Sequence, residues 1–515
     1  MWFLNYPEGW SLAATEIAPA QLLIALPFSL IGGETFGYNM AMLISFILAG
    51  MLMTAWVHHL TKSITAGVVA STIYACLPYW QMHFLAGHLN LCGTQWIPLF
   101  FRGWFDLLRP EQDTQPKRSA FFAALGLGLT ALTSQYYFFM MVFTAALIGL
   151  IFCLSQRCRL LKNRTFWTGL LRFVILAIPL VALAEIPFLM LAGQGGMPDR
   201  SWYSASMYSA GLTDFFLPAT NHFLWKDLVG QHFNRDLWIE ATLYVGIFAL
   251  ALAVYGFIKR NNSQKTLWTI LLTGTICALI LAFGTDLHWN GEQVRVQLPA
   301  FLQTQFGADK TPVPLPGLLL FKYFPFFAKQ RALMRFGLFA LLFVACGAGI
   351  GYNRLIENRS LQQVKVVFLV VTGLLVLDFF PSLQKPMAII QPRAVDNWLA
   401  TQPADGALMR LPFELNDDQY GTYLTLYNEK PFIGGFFNAF PPSQYLHIHD
   451  TMSGFPSQES LKLAEKLNMT YIELETAEMI RSNFAIQPEE IEKRLEAFNL
   501  EKIYQDEEVI VYEIP

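Results

Sequence analysis

From Ala332 to Asn353 the chain carries one charged side chain, Arg335. Such a stretch has no polar face to leave in water, so it is either the heart of a core or a membrane span, for which about 20 apolar residues suffice. Runs of this kind recur at roughly 38–60, 66–84, 92–108, 118–135, 137–155, 168–193, 243–258, 266–284, 332–353 and 364–381. Composition agrees: 54% of the chain is hydrophobic and 14% charged, whereas soluble domains carry about 25% charged residues. An ordinary soluble enzyme is excluded. The net charge of −3 leaves no polybasic footprint, which argues against nucleic acid as a partner. The six cysteines show no CxxC or Cys/His ligand spacing and read as small apolar packers.

Basic residues orient the spans. The short loops holding Lys62, Arg109–Lys117–Arg118, Arg157–Arg159–Lys162–Arg164, Lys259–Arg260–Lys265 and Arg354–Arg359–Lys365 all fall on one side of a ten-span arrangement, assigned to the cytoplasm. The stretch 17–33 is apolar but interrupted by Pro19 and Pro27, and is expected to be re-entrant or interfacial. Past residue 384 charged residues become frequent and apolar runs short, as at Thr470–Glu475 and Glu508–Glu513. The expected architecture is a polytopic α-helical membrane bundle of about ten transmembrane helices plus one re-entrant segment over 1–383, then a soluble α/β domain over 384–515 outside the cytoplasm. An external N-terminus with no span before it is hard to translocate. Either 17–33 spans or the chain lacks an upstream helix, and the second is the expectation.

Two outer loops, 194–242 and 285–331, exceed the usual loop length and are rich in aromatics or proline. Aromatic side chains there fit either an interfacial belt or contact with a sugar or a lipid tail. The second loop has few secondary-structure signals and reads as a lid. It ends in Lys329–Gln330–Arg331, with Arg335 four residues on. At helical spacing Arg331 and Arg335 share a face, where two guanidinium groups can clamp a phosphate or else reach lipid headgroups. Glu185, Glu240, Asp378 and His88 all approach the outer side and suggest a polar cavity able to supply a base or a metal ligand. Walker, GxSxG, HExxH and dinucleotide-binding patterns are all missing.

In order along the chain stand Tyr6–Pro7–Glu8–Gly9, Phe36–Gly37–Tyr38–Asn39, Gly87–His88–Leu89–Asn90 with Trp96–Ile97–Pro98–Leu99, and Ser134–Gln135–Tyr136–Tyr137. Glu240 with Tyr244–Val245–Gly246, Arg331 through Arg335–Phe336, Arg410–Leu411–Pro412 and Glu429 through Gly435 follow. This succession resembles the GT-C superfamily of polytopic membrane glycosyltransferases, in a bacterial branch related to the dolichyl-phosphate-mannose-type enzymes. Leu333 stands where that family has proline in its Arg-x-Pro-x-Arg-Phe pattern.

The resemblance implies transfer of a sugar from a polyprenyl-phosphate donor in the membrane lipid to a glycan, lipid or protein acceptor on the outer side of a bacterial inner membrane. It implies that Arg331 and Arg335, with Lys329 and Tyr136, hold the donor phosphate. Glu8, His88 and Glu240 are the candidates for the acceptor's base, and Glu8 is a poor match for the family's catalytic aspartate. A divalent metal, Mg²⁺ or Mn²⁺, is compatible with such a site, since some relatives use one. The alternative is a non-catalytic membrane protein that binds or exports a lipid-linked glycan.

Overall fold

The computed structural model describes residues 3–514 apart from 10, 15–16, 114, 194–198, 234–237, 302, 304–307, 383–390, 404–405, 414–417, 436–442, 453 and 482–487. It divides into two compact units, one built mainly from 16–189 and 199–384, the other from the first fifteen residues, 190–198 and 385–515.

The larger unit is a helical membrane bundle. Among the described residues six helices are long and apolar enough to cross a bilayer: Pro19–Thr61, Gln135–Ser155, Arg164–Gly193, Asn262–Ala282, Leu333–Ile356 and Leu361–Phe379. The other four expected spans are shorter helices. The 66–84 run is Ile64–Ala75 and Pro78–Leu85, split where Pro78 removes a backbone donor. The 92–108, 118–135 and 243–258 runs hold Trp96–Leu107, Pro116–Ala131 and Ile247–Ile258, with 12, 16 and 12 residues.

The 17–33 stretch is not broken at Pro27. It is helical through Pro27 and joins the next run in one element, Pro19–Thr61, whose break falls at Gly32 and Gly33. Gly33 has φ +81°, a conformation that glycine adopts without strain. Beyond the break the chain returns along itself so closely that a Cβ on Gly37 would lie 1.9 Å from Ser29 Oγ. Gln21, fully buried in the first half, donates to Ser45 Oγ at 2.8 Å and accepts from Gln95 Nε2 at 3.0 Å. A buried amide needs such partners, and these fasten the first half inside the bundle.

The bundle is arranged around Leu333–Ile356, in whose most apolar stretch 94% of the residues are buried, against 6% for Arg164–Gly193 and 11% for Leu361–Phe379. The last two face outward with large aliphatic side chains, as helices in contact with lipid do. The central helix packs by small residues. A Cβ on Gly351 would lie 1.9 Å from Leu252 O, and one on Gly256 would lie 2.6 Å from Gly351 Cα. Backbone-to-backbone approach of this kind maximises dispersion contact where apolar surface gains nothing by leaving lipid.

The described part of the 285–331 loop carries secondary structure. Strands β1 (His288–Trp289) and β2 (Glu292–Gln293) form a hairpin, and β3 (Arg295–Gln297) pairs antiparallel with β4 (Lys310–Pro312). Asn290 (φ 51°) and Gly291 (φ 80°) make the first turn, as a two-residue primed turn requires. A helix Pro316–Tyr323 follows.

The smaller unit holds a four-stranded sheet in the order β5 (Ala407–Leu411), β6 (Met469–Leu474), β8 (Ile510–Glu513), β7 (Glu501–Gln505). The β5–β6 pair is parallel and the others antiparallel. Its core includes Met409, Ile472 and Tyr512. The N-terminal segment belongs here: Asn5 N–H donates to Gly434 O at 2.9 Å and Tyr6 N–H to Phe432 O at 3.2 Å. The domain boundary expected at 383–384 lies outside the described residues.

Gly351→Ala is expected to lower the thermal midpoint of the detergent-solubilised protein, because overpacking costs about 1–3 kcal/mol. Gly373→Ala, at a helical position with nothing within 4 Å of the added carbon, is expected to leave it unchanged. Equal midpoints for the two variants would refute the close helix approach.

Candidate functional site

Arg335 sits on the 3-10 turn Leu333–Phe336 that leads into the central helix, and it is 5% exposed. So placed it cannot extend to water, and burying an isolated charge is prohibitive. Glu240, on the single turn Trp238–Ala241 and 6% exposed, supplies the counter-charge. Arg335 Nε donates to Glu240 Oε2 at 3.0 Å and Nη2 donates to Oε1, a two-point pair. Burial alone would raise the Glu240 carboxyl, but the charge and hydrogen bonds of Arg335 together with the two neighbouring histidines outweigh it, and the carboxyl falls to about 2.

Two histidines extend this pair. His83 Nε2 is 3.7 Å from Glu240 Oε2, and His83 Nδ1 is 2.9 Å from His88 Nδ1. The turn that joins them is local. Gly87, at φ +70°, ends the helix Pro78–Leu85, and His88 N–H then folds back onto His83 O at 2.9 Å. His83 is fully buried, while His88 is half-buried. Burial lowers the His88 imidazole, an effect that Glu240 partly offsets. Tyr79 packs edge-on against His83, and its hydroxyl is 3.0 Å from that of Tyr137.

Arg335 also lies over the ring of Tyr136, 4.4 Å from the centroid, and Arg331 over Tyr208 at 4.7 Å. The shared helix face expected for the two arginines does not form, because the helix begins at Gly337 and Arg331 precedes the 3-10 turn. A third arginine connects them. Arg200 hydrogen-bonds Tyr136 and is near enough to Arg331 to feel its charge, and burial together with that repulsion lowers its pKa. Lys329 Nζ pairs with Asp199 Oδ1 at 3.1 Å, a bridge that solvent screens because Asp199 is well exposed. Arg200, Arg331 and Arg335 thus surround two tyrosine rings with Glu240 as the counter-charge on Arg335. That arrangement suits an anion.

The structure joins His88, Glu240, Arg335 and Tyr136, and gives Asp378 and Glu185 other partners. Asp378 accepts from Tyr244 OH at 2.7 Å and from Phe248 N–H at 3.2 Å, capping the helix Ile247–Ile258. Glu185 pairs with Gln135 instead. Glu8 is exposed on a turn closed by Asn5 Nδ2 to Gly9 O at 2.8 Å, in the unit that holds the sheet. Sequence reasoning passed over His83 and Arg200. A histidine inside an apolar helix reads as core, and a lone arginine in a long loop as surface. Among the described residues no three His, Cys, Asp or Glu side chains are gathered to hold a metal ion, and Glu240 is committed to Arg335. Among the described residues, the site therefore offers no ligand set for the divalent ion that the resemblance allowed.

Glu240→Ala is expected to destabilise the protein by about 3–5 kcal/mol, because it strands a buried guanidinium. Replacing both partners, Glu240→Met with Arg335→Met, is expected to restore much of the loss. Thermal unfolding of the three proteins checks the pair, and a double variant no better than Glu240→Ala would refute it.

No curated protein matches the chain. Residues 2–308 match the model of a family described as a domain of unknown function, DUF6311. The match takes in His83, His88, Tyr136, Arg200 and Glu240, and it spans more than half of the sequence. The chain belongs to that family.

Proposed function

We propose that this membrane protein is a glycosyltransferase that moves a sugar from a polyprenyl-phosphate donor to an acceptor on the outer side of a bacterial plasma membrane. The reading extends the six candidate spans to the ten-span topology, with the sheet domain outside and available to orient the acceptor. The observation that carries it is the gathering of Arg200, Arg331 and Arg335 around Tyr136 and Tyr208, beside the His83–His88 pair. As the bond between the anomeric carbon and the phosphate oxygen breaks, that oxygen gains charge, which fixed guanidinium groups stabilise. The acceptor oxygen forms the new bond from the opposite face and its proton passes to a base.

His88 is the base in this scheme. Its lowered pKa keeps it neutral and able to take a proton near pH 7. Glu240, already held at about 2 by Arg335, is a poor proton acceptor and serves as a positioning residue. No step runs through a metal. The rival reading, a protein that binds a lipid-linked glycan without transferring it, draws on the same commitment of Glu240 to Arg335.

Proteoliposomes holding the full chain and polyprenyl-phosphate-linked radioactive sugars would be assayed for released polyprenyl phosphate. The wild type is expected to turn over, Arg331→Ala to lose about 10²-fold in rate, and His88→Gln to lose turnover while still binding donor. Donor binding without turnover in the wild type would favour the rival. Failure of both binding and turnover would end the phosphate reading.

The pH dependence follows from His88. A free histidine titrates near 6.5, and this one lies lower. Turnover is expected to be flat from about pH 7 to 8 and to fall only below about 6.5. Stability has the same sign. Below about 6.5 the unfolded chain takes up a proton that the folded His88 resists, so stability drops as pH falls toward the lowered value. His88→Gln is expected to flatten that part of the thermal-midpoint profile. An unchanged profile in the variant would remove His88 from the titration.

A further inference from the structure

A cavity of about 510 Å³ opens between the helix Trp202–Met207 and the β1–β2 hairpin. It falls within the roughly 300–1,000 Å³ of ordinary ligand clefts. Two of its lining side chains are held by one buried carboxylate. Asp286, fully buried, accepts from Ser206 Oγ at 2.9 Å, Thr285 Oγ1 at 2.6 Å and Gln293 Nε2 at 2.6 Å. Ser206 and Gln293 both line the cavity, so their polar ends are set before any ligand arrives. Gln293 Oε1 in turn accepts from Arg295 Nε at 2.9 Å. The Asn290–Gly291 turn fixes the hairpin that carries Glu292 and Gln293 to the wall.

The helix that carries Ser206 also brings aromatic side chains to the lining. Trp202 and Tyr203 line the cavity and stay 43% and 75% exposed, although burying such rings is worth a good deal of free energy. Aromatic rings combined with amide, carboxylate and guanidinium groups in one lining match one ligand class well. A pyranose offers an apolar C–H face to a ring and a girdle of hydroxyls that donate and accept in the ring plane. The charge of the lining selects within that class. Asp214 and Glu292 outnumber Arg295, so a phosphate or uronate is disfavoured and an uncharged sugar is not.

We infer that this cavity binds an uncharged saccharide unit, stacked on Trp202 and Tyr203 and hydrogen-bonded by the Ser206–Gln293–Arg295 wall. Its place relative to the cationic cluster is set by the chain itself. Ala241 and Met334 line the cavity, and they are the covalent neighbours of Glu240 and Arg335. The sugar pocket and the anion site therefore share two backbone segments while keeping opposite charge preferences. In naming a sugar site the inference rests on the transfer reading for its purpose, but sugar binding itself does not require turnover.

The test uses the full chain in a sugar-free amphipathic polymer. The probes are methyl glycosides of glucose, galactose, mannose and N-acetylglucosamine, read by saturation-transfer NMR and tryptophan fluorescence. At least one is expected to bind with a Kd on the order of 1 mM. Trp202→Ala and Gln293→Ala are each expected to weaken it about tenfold, the loss of one stacking or hydrogen-bonding contact. Arg331→Ala is expected to leave it unchanged, and inorganic phosphate not to compete. If Trp202→Ala does not fold, Tyr203→Ala, at a more exposed position, replaces it. The inference is overturned if no glycoside binds at about ten times that concentration, if binding survives both aromatic variants, or if phosphate displaces the sugar. Glycoside binding in a protein that never turns over donor would uphold the pocket and sink the transferase. Turnover that ignores Trp202 and Gln293 would do the reverse.

Discussion

The buried pair of Glu240 and Arg335 is the constraint on which the site depends. Arg335 stands at the mouth of the most deeply buried helix of the bundle, where its side chain cannot reach water. Leaving a guanidinium there unpaired would cost more than most single contacts return. Glu240 meets it, and the pairing fixes two short segments, 238–241 and 333–336, that have little secondary structure of their own to hold them. His83 and Tyr136 are then placed by contact with a group that is already immobile.

The same device recurs with different partners. Asp378 satisfies the N-terminus of the helix Ile247–Ile258 and the Tyr244 hydroxyl. Asp286 gathers Ser206, Thr285 and Gln293. In an apolar bundle a buried carboxylate must find donors, so each becomes an organising centre for the loop around it. That explains why, among the described residues, Glu185, Glu240 and Asp378 keep separate partners and do not form one shared cluster. Like charges would repel at low dielectric, whereas separate carboxylates each stabilise a local fold.

Legibility in the sequence follows how local the cause is. The long apolar helices Gln135–Ser155 and Leu361–Phe379 could be read from their own residues, since about 20 apolar side chains in a row leave few alternatives. The 17–33 stretch is expected to be interrupted at Pro19 and Pro27, but the break in Pro19–Thr61 lies at Gly32–Gly33. A proline removes one hydrogen bond and bends a helix, whereas two adjacent glycines let it turn back. The β1–β2 hairpin was missed although Asn290–Gly291 is a strong turn signal, because its strands are two residues each and carry no alternating pattern. The Arg331–Arg335 spacing was read as one helix face, yet spacing fixes a face only inside a helix, and this helix begins two residues after Arg335.

The contacts that define the site are those least open to a reading along the chain. His83 meets Glu240, 157 positions later, and Glu240 meets Arg335, 95 positions later. Neither pairing has a sequence signature, because a histidine in an apolar helix and a glutamate in an aromatic loop each have an ordinary structural reading. What links them is desolvation. Once Arg335 is drawn inside by the packing of the central helix, its charge selects the nearest carboxylate that the loops can deliver, and that choice places both the histidine pair and the wall of the neighbouring pocket. The chemistry here is a consequence of burial, with the helix packing first and the polar groups arranged to satisfy what the packing has enclosed.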